Sequence, residues 1–190
     1  MANSKQTSWV IVGLGNPGTQ YERTWHNIGV NFLEYCRSTA AKDWSFEKTF
    51  RFTKIEPGNS YFPNGVILAV PASFMNESGS ATQDALKKFN AEANKLILVH
   101  DDSDLQLGEF RLESNRGSAG HNGVRSVIFT LGTQDFWRLR IGIRKKTQVD
   151  APRVSAGDFV LKEIKSEDYG VVEDVFVAAG YETLKLIAKE

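Results

Sequence analysis

Polar side chains suited to acid–base chemistry follow three of the apolar runs in this 190-residue chain. Asn16 follows the first run, Asn76 lies just beyond the second, and the acidic segment 100–104 directly follows the third. Because ligands of open α/β sheets bind at the carboxyl ends of the strands, we expect these segments to form one site. His26 adds an imidazole that can take a proton from water near neutral pH, and Asp101 or Asp102 is suited to orient it.

The same residue types support other interpretations. His100 and His121 are rival candidates for the base, and His100 is expected to point into the fold because it follows a buried run. The aspartates at 101, 102 and 104 form either a solvated acidic turn or a site for Mg²⁺ or Ca²⁺, since hard cations prefer carboxylate ligands. The spacing does not match an EF-hand loop, which needs a later glutamate that is missing here.

The loop after the first apolar run contains a G-x-G-x-x-G pattern formed by Gly13, Gly15 and Gly18. This pattern is typical of dinucleotide-binding folds when a helix follows the loop directly. Pro17 argues against that interpretation, because a proline biases the residue before it, Asn16, away from helical backbone angles. The acidic residue expected at the end of a second strand is also missing. A tight glycine turn is the simpler explanation of the glycines.

A second glycine-rich segment, 117–123, precedes an apolar run with helical spacing, and its backbone N–H groups are suited to binding phosphate. The alternative is a flexible connector. The chain has 23 basic and 23 acidic residues, so any contact with nucleic acid must come from a local patch. Five basic residues without an intervening acid predict such a patch, or else an ordinary solvated strand edge. They are Arg138, Arg140, Arg144, Lys145 and Lys146.

The hydrophobic pattern along the chain alternates between strand-like and helix-like segments, which predicts an α/β fold with a mixed or mainly parallel sheet. Strands are expected at about 8–14, 44–55, 66–70, 96–99, 109–112 and 138–143, the last of them half-buried because its apolar residues alternate. Helices are expected at about 27–41, 76–90, 124–131 and 166–189. We expect one domain over residues 1–190, with a loose tail at 1–7 and a surface loop at 145–157.

The composition, 41% hydrophobic and 24% charged, is that of a soluble globular protein and excludes a disordered chain. The single cysteine, Cys36, excludes an internal disulfide framework and a cysteine-based zinc site. No apolar run has the length of a transmembrane helix, and the first residues lack the pattern of a secretory signal. We therefore expect a cytoplasmic protein without a membrane partner.

Five segments, in their order and spacing, resemble motifs of the bacterial-type peptidyl-tRNA hydrolases: GLGNPGTQYERTWHNIG, PASFMNESG, VHDDSDLQLGEFRL, GSAGHNG and RLRIGI. The resemblance runs from about residue 9 to residue 144 and continues weakly in DFVL and the last helix. It implies a single α/β domain in which helices surround a twisted mixed sheet, usually monomeric, with no metal and no cofactor. It also implies hydrolysis of the ester that joins a peptide to the terminal ribose of tRNA, which recycles tRNA from aborted translation.

Site residues follow from the resemblance position by position. His26 resembles the catalytic base and Asp101 the carboxylate that orients it. Such a base draws a proton from water as the water attacks the ester carbonyl. One asparagine amide, such as that of Asn76, is suited to the developing oxyanion, and another is suited to the peptide bond of the substrate. The remaining matches are Asn16, Tyr21, Met75 and Asn122 around the ester, and Arg140 and Arg111 toward tRNA.

The chain departs from the family pattern near the expected site. Trp25 stands where the family usually has arginine, and its ring is suited either to stacking on a terminal base or to packing inside the fold. Glu113 and Ser114 stand where many members are basic. Two other functions are therefore considered: an RNA-binding protein of the same fold without catalysis, and a nicotinamide-dependent enzyme that uses the first glycine loop.

Overall fold

Strand β1 (Val10–Gly13) lies inside a seven-stranded mixed sheet in the computed structural model, which describes residues 8–145 and 159–189. The other strands are β2 (Ser45–Phe46), β3 (Phe50–Ile55), β4 (Val66–Pro71), β5 (Leu96–Gln106), β6 (Phe110–Ser114) and β7 (Trp137–Arg144). The helices are α1 (Ile28–Thr39), α2 (Ser78–Phe89), α3 (Asn122–Leu131) and α4 (Ser166–Lys189). The strand order is β2-β3-β4-β1-β5-β7-β6, in which β4, β1, β5 and β7 are parallel. This arrangement confirms the expected α/β class and mixed sheet.

Helices cover both faces of the sheet. On one face, α1 and α4 pack on the sheet through residues such as Phe32 and Phe176, whose rings meet edge to face. On the other face, α2 and α3 contribute Ala85 and Val127 to a second core. Apolar residues three or four positions apart give α1 its buried stripe, as the helical spacing predicts. The carboxyl ends of the parallel strands therefore meet at one edge of a rigid three-layer structure.

Glycines allow α1 to lie directly on the ends of β1 and β5. A Cβ atom at Gly29 would overlap the carbonyl oxygen of Val99 and the backbone of Leu14, and one at Gly13 would overlap the carbonyl of Gly29. The loop after Gly18 forms two short 3-10 turns, Thr19–Tyr21 and Trp25–Asn27, before α1 begins. Within this described segment no α-helix begins directly after Gly18, so close packing explains the glycines better than a dinucleotide site.

Strand β5 is longer than the sequence predicts. The expected strand ends at Val99, but hydrogen bonding to β7 continues through His100, Asp101 and Asp102, with an irregularity before Gln106. The polar residues extend a buried strand because they bond to other side chains and backbone groups instead of water. The candidate residues therefore stand on a strand of the sheet, where their positions are more rigid than on a loop.

Strand β7 is not half-buried, and this expectation was wrong. Residues 138–143 are all buried, so both faces of the strand are covered, and Arg138 and Arg140 are 2% and 8% exposed. Alternation of apolar and charged residues in a strand indicates that one face is solvated only if the charged side chains have no ion-pair partners within the fold. Here the partners are Asp102 and Glu113, which both bond to Arg140.

The C-terminal helix is confirmed over Ser166–Lys189. The loose tail expected at 1–7 lies outside the described residues, as does the surface loop expected at 145–157 apart from Lys145. Within the described ranges, none of the helices combines the length and apolar character needed to cross a membrane.

Candidate active site

The largest group of predicted site residues lines a cleft of about 480 Å³ at the carboxyl edge of the sheet. The loop after β1, the turn before α2, strand β5 and the glycine-rich segment before α3 each contribute one wall. The structure brings six predicted residues together there: Asn16, His26, Met75, Asn76, Asp101 and Asn122. The segments expected to meet at this edge do meet.

His26 bonds to Asp101 as predicted. Its Nδ1 atom lies 2.7 Å from Oδ1 of Asp101. Since a carboxylate only accepts hydrogen bonds, Nδ1 carries the proton, and this assignment leaves Nε2 unprotonated in the neutral ring. Nε2 forms no hydrogen bond with any described residue. The arrangement is that of a base whose second nitrogen is held by an orienting carboxylate.

His121 is a second partner of the same carboxylate oxygen. Its Nε2 lies 2.9 Å from Oδ1 of Asp101, and its Nδ1 accepts a hydrogen bond of 3.3 Å from the backbone N–H of Val124 in the first turn of α3. Both ring nitrogens are therefore occupied, so His121 is not suited to accept a proton from water. The motif that precedes α3 suggested a rival base, but the side chain caps the helix and supports Asp101.

His100 is also unsuited to act as the base. It is buried, and its Nδ1 donates to the backbone carbonyl of Asp101 over 2.7 Å. Burial, together with the nearby His121, holds the pKa of His100 well below the ordinary histidine value, so the ring stays neutral. The expectation that His100 points into the fold is confirmed.

Asp101 stays ionised although it is buried. Burial alone would raise its pKa, but the hydrogen bonds and charges of His121 and His26 outweigh burial and hold the pKa of Asp101 well below its usual range. A carboxylate that remains charged can stabilise an imidazolium on His26 when that ring takes up a proton.

Asn16 is held by three hydrogen bonds that involve neighbouring residues. Its backbone N–H donates to Oδ1 of Asn27 over 2.8 Å, and its carbonyl accepts from Nδ2 of Asn27 over 2.9 Å. Its own Oδ1 accepts from the backbone N–H of Met75 over 2.9 Å. Because the side-chain oxygen is occupied, the NH₂ group of Asn16 is the part available to a ligand. Sequence reasoning missed Asn27 as the residue that fixes this loop.

Asn122 is oriented in a similar way. Its Oδ1 accepts from the guanidinium of Arg125 over 2.8 Å, one turn further along α3, which again leaves the NH₂ group available. The exposed side chain of Asn76 forms no hydrogen bond with the described residues, so its amide is free to rotate. Two of the three asparagines are therefore presented as donors.

The arginines of β7 support the cleft from behind. Arg140 bonds through Nε to Asp102 over 2.7 Å and through a terminal nitrogen to Glu113 over 2.8 Å. Arg138 donates to the carbonyl of Gly117 over 2.7 Å. The expectation that these two arginines belong to an exposed basic patch was wrong, because their partners neutralise or occupy them inside the fold. Contact of Arg140 with tRNA stays a prediction, and its burial and its bonds to Asp102 and Glu113 argue against it.

Arg111 and Tyr21 lie outside the cleft. Arg111, on edge strand β6, is exposed and forms no ion pair with the described residues. Tyr21 packs edge to face on Phe74, with ring centroids 6.5 Å apart, and Phe74 lines the cleft. Val160 and Leu161 complete one wall, and the weak DFVL match was the only signal that pointed to them.

Trp25 packs inside the fold and not on the surface. The indole is 3% exposed and stacks on Phe159 with a ring separation of 6.3 Å and an interplanar angle of 15°. Of the two roles that the sequence leaves open, packing is therefore the one observed.

The arrangement of His26, Asp101 and His121 could also hold a metal ion, since one ligand atom of each lies within 4.8 Å of the others. Two imidazoles and one carboxylate suit Zn²⁺ better than Mg²⁺ or Ca²⁺. Such an ion would have to displace the two protons that now bond to Asp101. The predicted cluster of three aspartates is divided, because Asp102 is bonded to Arg140. Independence from metal stays a prediction.

The structure is a mixed α/β sheet whose cleft holds a histidine–carboxylate pair beside asparagine donors, an arrangement suited to the class of enzymes that hydrolyse carbonyl compounds. Comparison with known proteins agrees with this class. The family described as peptidyl-tRNA hydrolase matches residues 10–190. The chain belongs to this family, and it is an enzyme of the hydrolase class.

Individual relatives support the assignment. A peptidyl-tRNA hydrolase of Thermotoga petrophila is 41% identical over 167 residues, which cover 88% of this chain and 84% of the relative. One from Kineococcus radiotolerans is 38% identical over 166 residues, with coverage of 85% and 81%. The crystal structure of peptidyl-tRNA hydrolase from Acinetobacter baumannii superimposes with a TM-score of 0.80 at 28% identity, over 96% of this chain and 89% of that one.

Proposed function

We propose that this protein hydrolyses the ester between the peptide and the tRNA ribose in peptidyl-tRNA and so returns tRNA to translation. The observation that carries the proposal is the bond from Nδ1 of His26 to Asp101, which leaves the other ring nitrogen able to accept a proton. Family membership supplies the substrate class. Consistent with that substrate, we expect the protein to act as a monomer in the cytoplasm.

The reaction begins when Nε2 of His26 removes a proton from water as the water oxygen bonds to the ester carbonyl carbon. Asp101 stabilises the imidazolium that results. The tetrahedral intermediate then collapses, the bond to the ribose oxygen breaks, and the proton on His26 returns to that oxygen as it leaves. General-base assistance of this kind contributes about 10²–10⁴-fold to the rate.

Asn16 and Asn122 are suited to bind the two carbonyl oxygens of the substrate. Each presents an NH₂ group because its own oxygen is occupied, by Met75 N–H and by Arg125 respectively. One donor then binds the oxyanion that develops at the ester, and the other binds the carbonyl of the last peptide bond. A free aminoacyl-tRNA lacks that second carbonyl and presents an ammonium group near a donor. The site therefore disfavours it, because the donor that faces the bound substrate would lose its partner.

Recognition of tRNA is proposed to rest on exposed basic side chains near the cleft. Arg111 on β6 and Arg125 on α3 are both exposed and are suited to bind phosphates without contacting bases. Binding of this kind weakens steeply with salt and tolerates many tRNA sequences.

The test compares N-acetyl-aminoacyl-tRNA with the same tRNA carrying a free amino group, in the presence of EDTA. The wild-type protein should cleave only the blocked substrate, and His26→Ala should lose at least about 10²-fold in rate. His100→Gln is the matched control, because it changes a neighbouring histidine that is not suited to act as the base. Full activity of a folded His26→Ala variant would refute the assignment. Binding of tRNA without any cleavage would favour the RNA-binding alternative, and loss of activity that Mg²⁺ or Zn²⁺ restores would favour a metal.

A further inference from the structure

Residues 159–164, which we call the wall segment, contribute two side chains to one wall of the cleft. Its Val160 and Leu161 line the cleft together with Phe74 and Met75. Leu161 and Phe74 are 48% and 51% exposed, so two large apolar side chains face solvent at the cleft. An apolar surface in this position is suited to contact a bound substrate.

The wall segment is joined to the residues just before His26 by a short antiparallel ladder. The backbone N–H of Ile164 donates to the carbonyl of Arg23 over 2.7 Å, and the N–H of Trp25 donates to the carbonyl of Lys162 over 3.2 Å. Thr24 and Glu163 pair between these two bonds. The segment that carries the catalytic histidine and the wall of the cleft are therefore one hydrogen-bonded unit.

Trp25 connects this unit to the core. Its indole belongs to the same buried cluster as Ile28 and Phe32 of α1, and its outer face stacks on Phe159 of the wall segment. The neighbouring ion pair between Arg23 and Glu163 spans 3.8 Å and is exposed at both ends, so it adds little. The aromatic stack holds Phe159 at the start of the wall segment, and Val160 and Ile164 of that segment are buried in the same cluster.

We propose that Trp25 is a positioning residue for hydrolysis: its stack on Phe159 sets the place of Val160 and Leu161, and thereby the apolar contact with substrate. The proposal rests on the proposed function for its effect on catalysis. Asp101 on β5 bonds to His26, and His121 at the start of α3 bonds to Asp101, so the hydrogen bond of the base does not involve the stack. A weakened stack should therefore impair substrate binding more than the chemical step.

The experiment compares Trp25→Leu, Phe159→Leu and the double variant with wild type. Both single variants should raise KM for N-acetyl-aminoacyl-tRNA about tenfold while kcat changes less than about threefold, and the double variant should resemble the worse single variant. Hydrogen exchange at the amides of Trp25 and Ile164 should accelerate in each variant, because these amides form the ladder. Trp25→Phe should restore most of the wild-type KM.

Trp9→Leu is the matched control, because Trp9 is another buried tryptophan of the same core and does not line the cleft. It should lower Tm without changing KM. If Trp25→Leu also lowers Tm and leaves KM unchanged, or if Phe159→Leu leaves the ladder amides protected, the positioning role is refuted. Hydrogen exchange is measured without substrate, so the two proposals can fail separately. A wild-type protein that cleaves no substrate would overturn the proposed function. Unchanged exchange at the amides of Trp25 and Ile164 in the variants would overturn the positioning role alone.

Discussion

Replacement of Asp101 by asparagine tests the central contact of the proposed mechanism. One oxygen of Asp101 accepts hydrogen bonds from both His26 and His121, at 2.7 and 2.9 Å. An asparagine of the same shape can keep an oxygen in that position, but it carries no charge. Alternatively it turns its NH₂ group toward His26, which forces the proton onto Nε2 and blocks the base.

The size of the effect follows from these two losses. The charged carboxylate stabilises the imidazolium through a charge-assisted hydrogen bond, worth about 1.5–3 kcal/mol more than an unmade bond. At about 1.4 kcal/mol per factor of ten, that loss alone lowers the rate by about 10–100-fold. Loss of the correct tautomer of His26 also removes the general base, which contributes about 10²–10⁴-fold to the rate. We therefore expect kcat to fall about 10²–10⁴-fold for Asp101→Asn.

The assay is single-turnover release of the amino acid from N-acetyl-aminoacyl-tRNA with EDTA present. Asp102→Asn is the matched control, because the adjacent carboxylate bonds to Arg140 and to neither of the two histidines that bond Asp101. It should reduce stability and leave kcat within about fivefold of wild type. If Asp101→Asn keeps more than a tenth of the wild-type kcat with an unchanged Tm, the proposed role of Asp101 is wrong.

Three further predictions concern the support of the site. Burial holds the pKa of His100 below that of an unfolded histidine, so only the unfolded chain binds this proton as pH falls below about 6.5. Urea titrations should therefore show wild-type stability falling by up to about 1.4 kcal/mol per pH unit more steeply than that of His100→Gln, and equal slopes would contradict this. Arg140→Met leaves Asp102 buried without its partner, so unfolding should cost about 3–5 kcal/mol less in urea; an intact stability with weakened tRNA binding would instead support a phosphate contact. Asn27→Asp removes one of the two bonds between Asn27 and Asn16, and kcat/KM should fall about tenfold with a lowered Tm; unchanged kinetics would mean that the remaining bonds are sufficient to hold the loop.

Local sequence patterns were sufficient to predict much of the architecture. Apolar runs and helical spacing identified the central strands and the four helices, because these periodicities reflect which face of each element is buried. They failed where charged residues are buried. Neither the continuation of β5 beyond Val99 nor the coverage of β7 can be inferred locally, because the ion pairs that make burial of Asp102 and Arg140 possible join distant parts of the chain.

The residues that line the cleft were also predictable as a set, since residue types, strand ends and family motifs converged on His26, Asp101 and the asparagines. The pairing of His26 with Asp101 was predicted as well, but the hydrogen-bond partners of the other side chains were not. Only the tertiary structure shows that His121 shares the carboxylate with His26 and that Trp25 packs on Phe159. A side chain's chemistry depends on which of its atoms are already bonded, and those partners come from strands and loops far away in sequence. The amino-acid sequence by itself therefore determined which groups are available, and the fold decided which nitrogen or amide remains free to act.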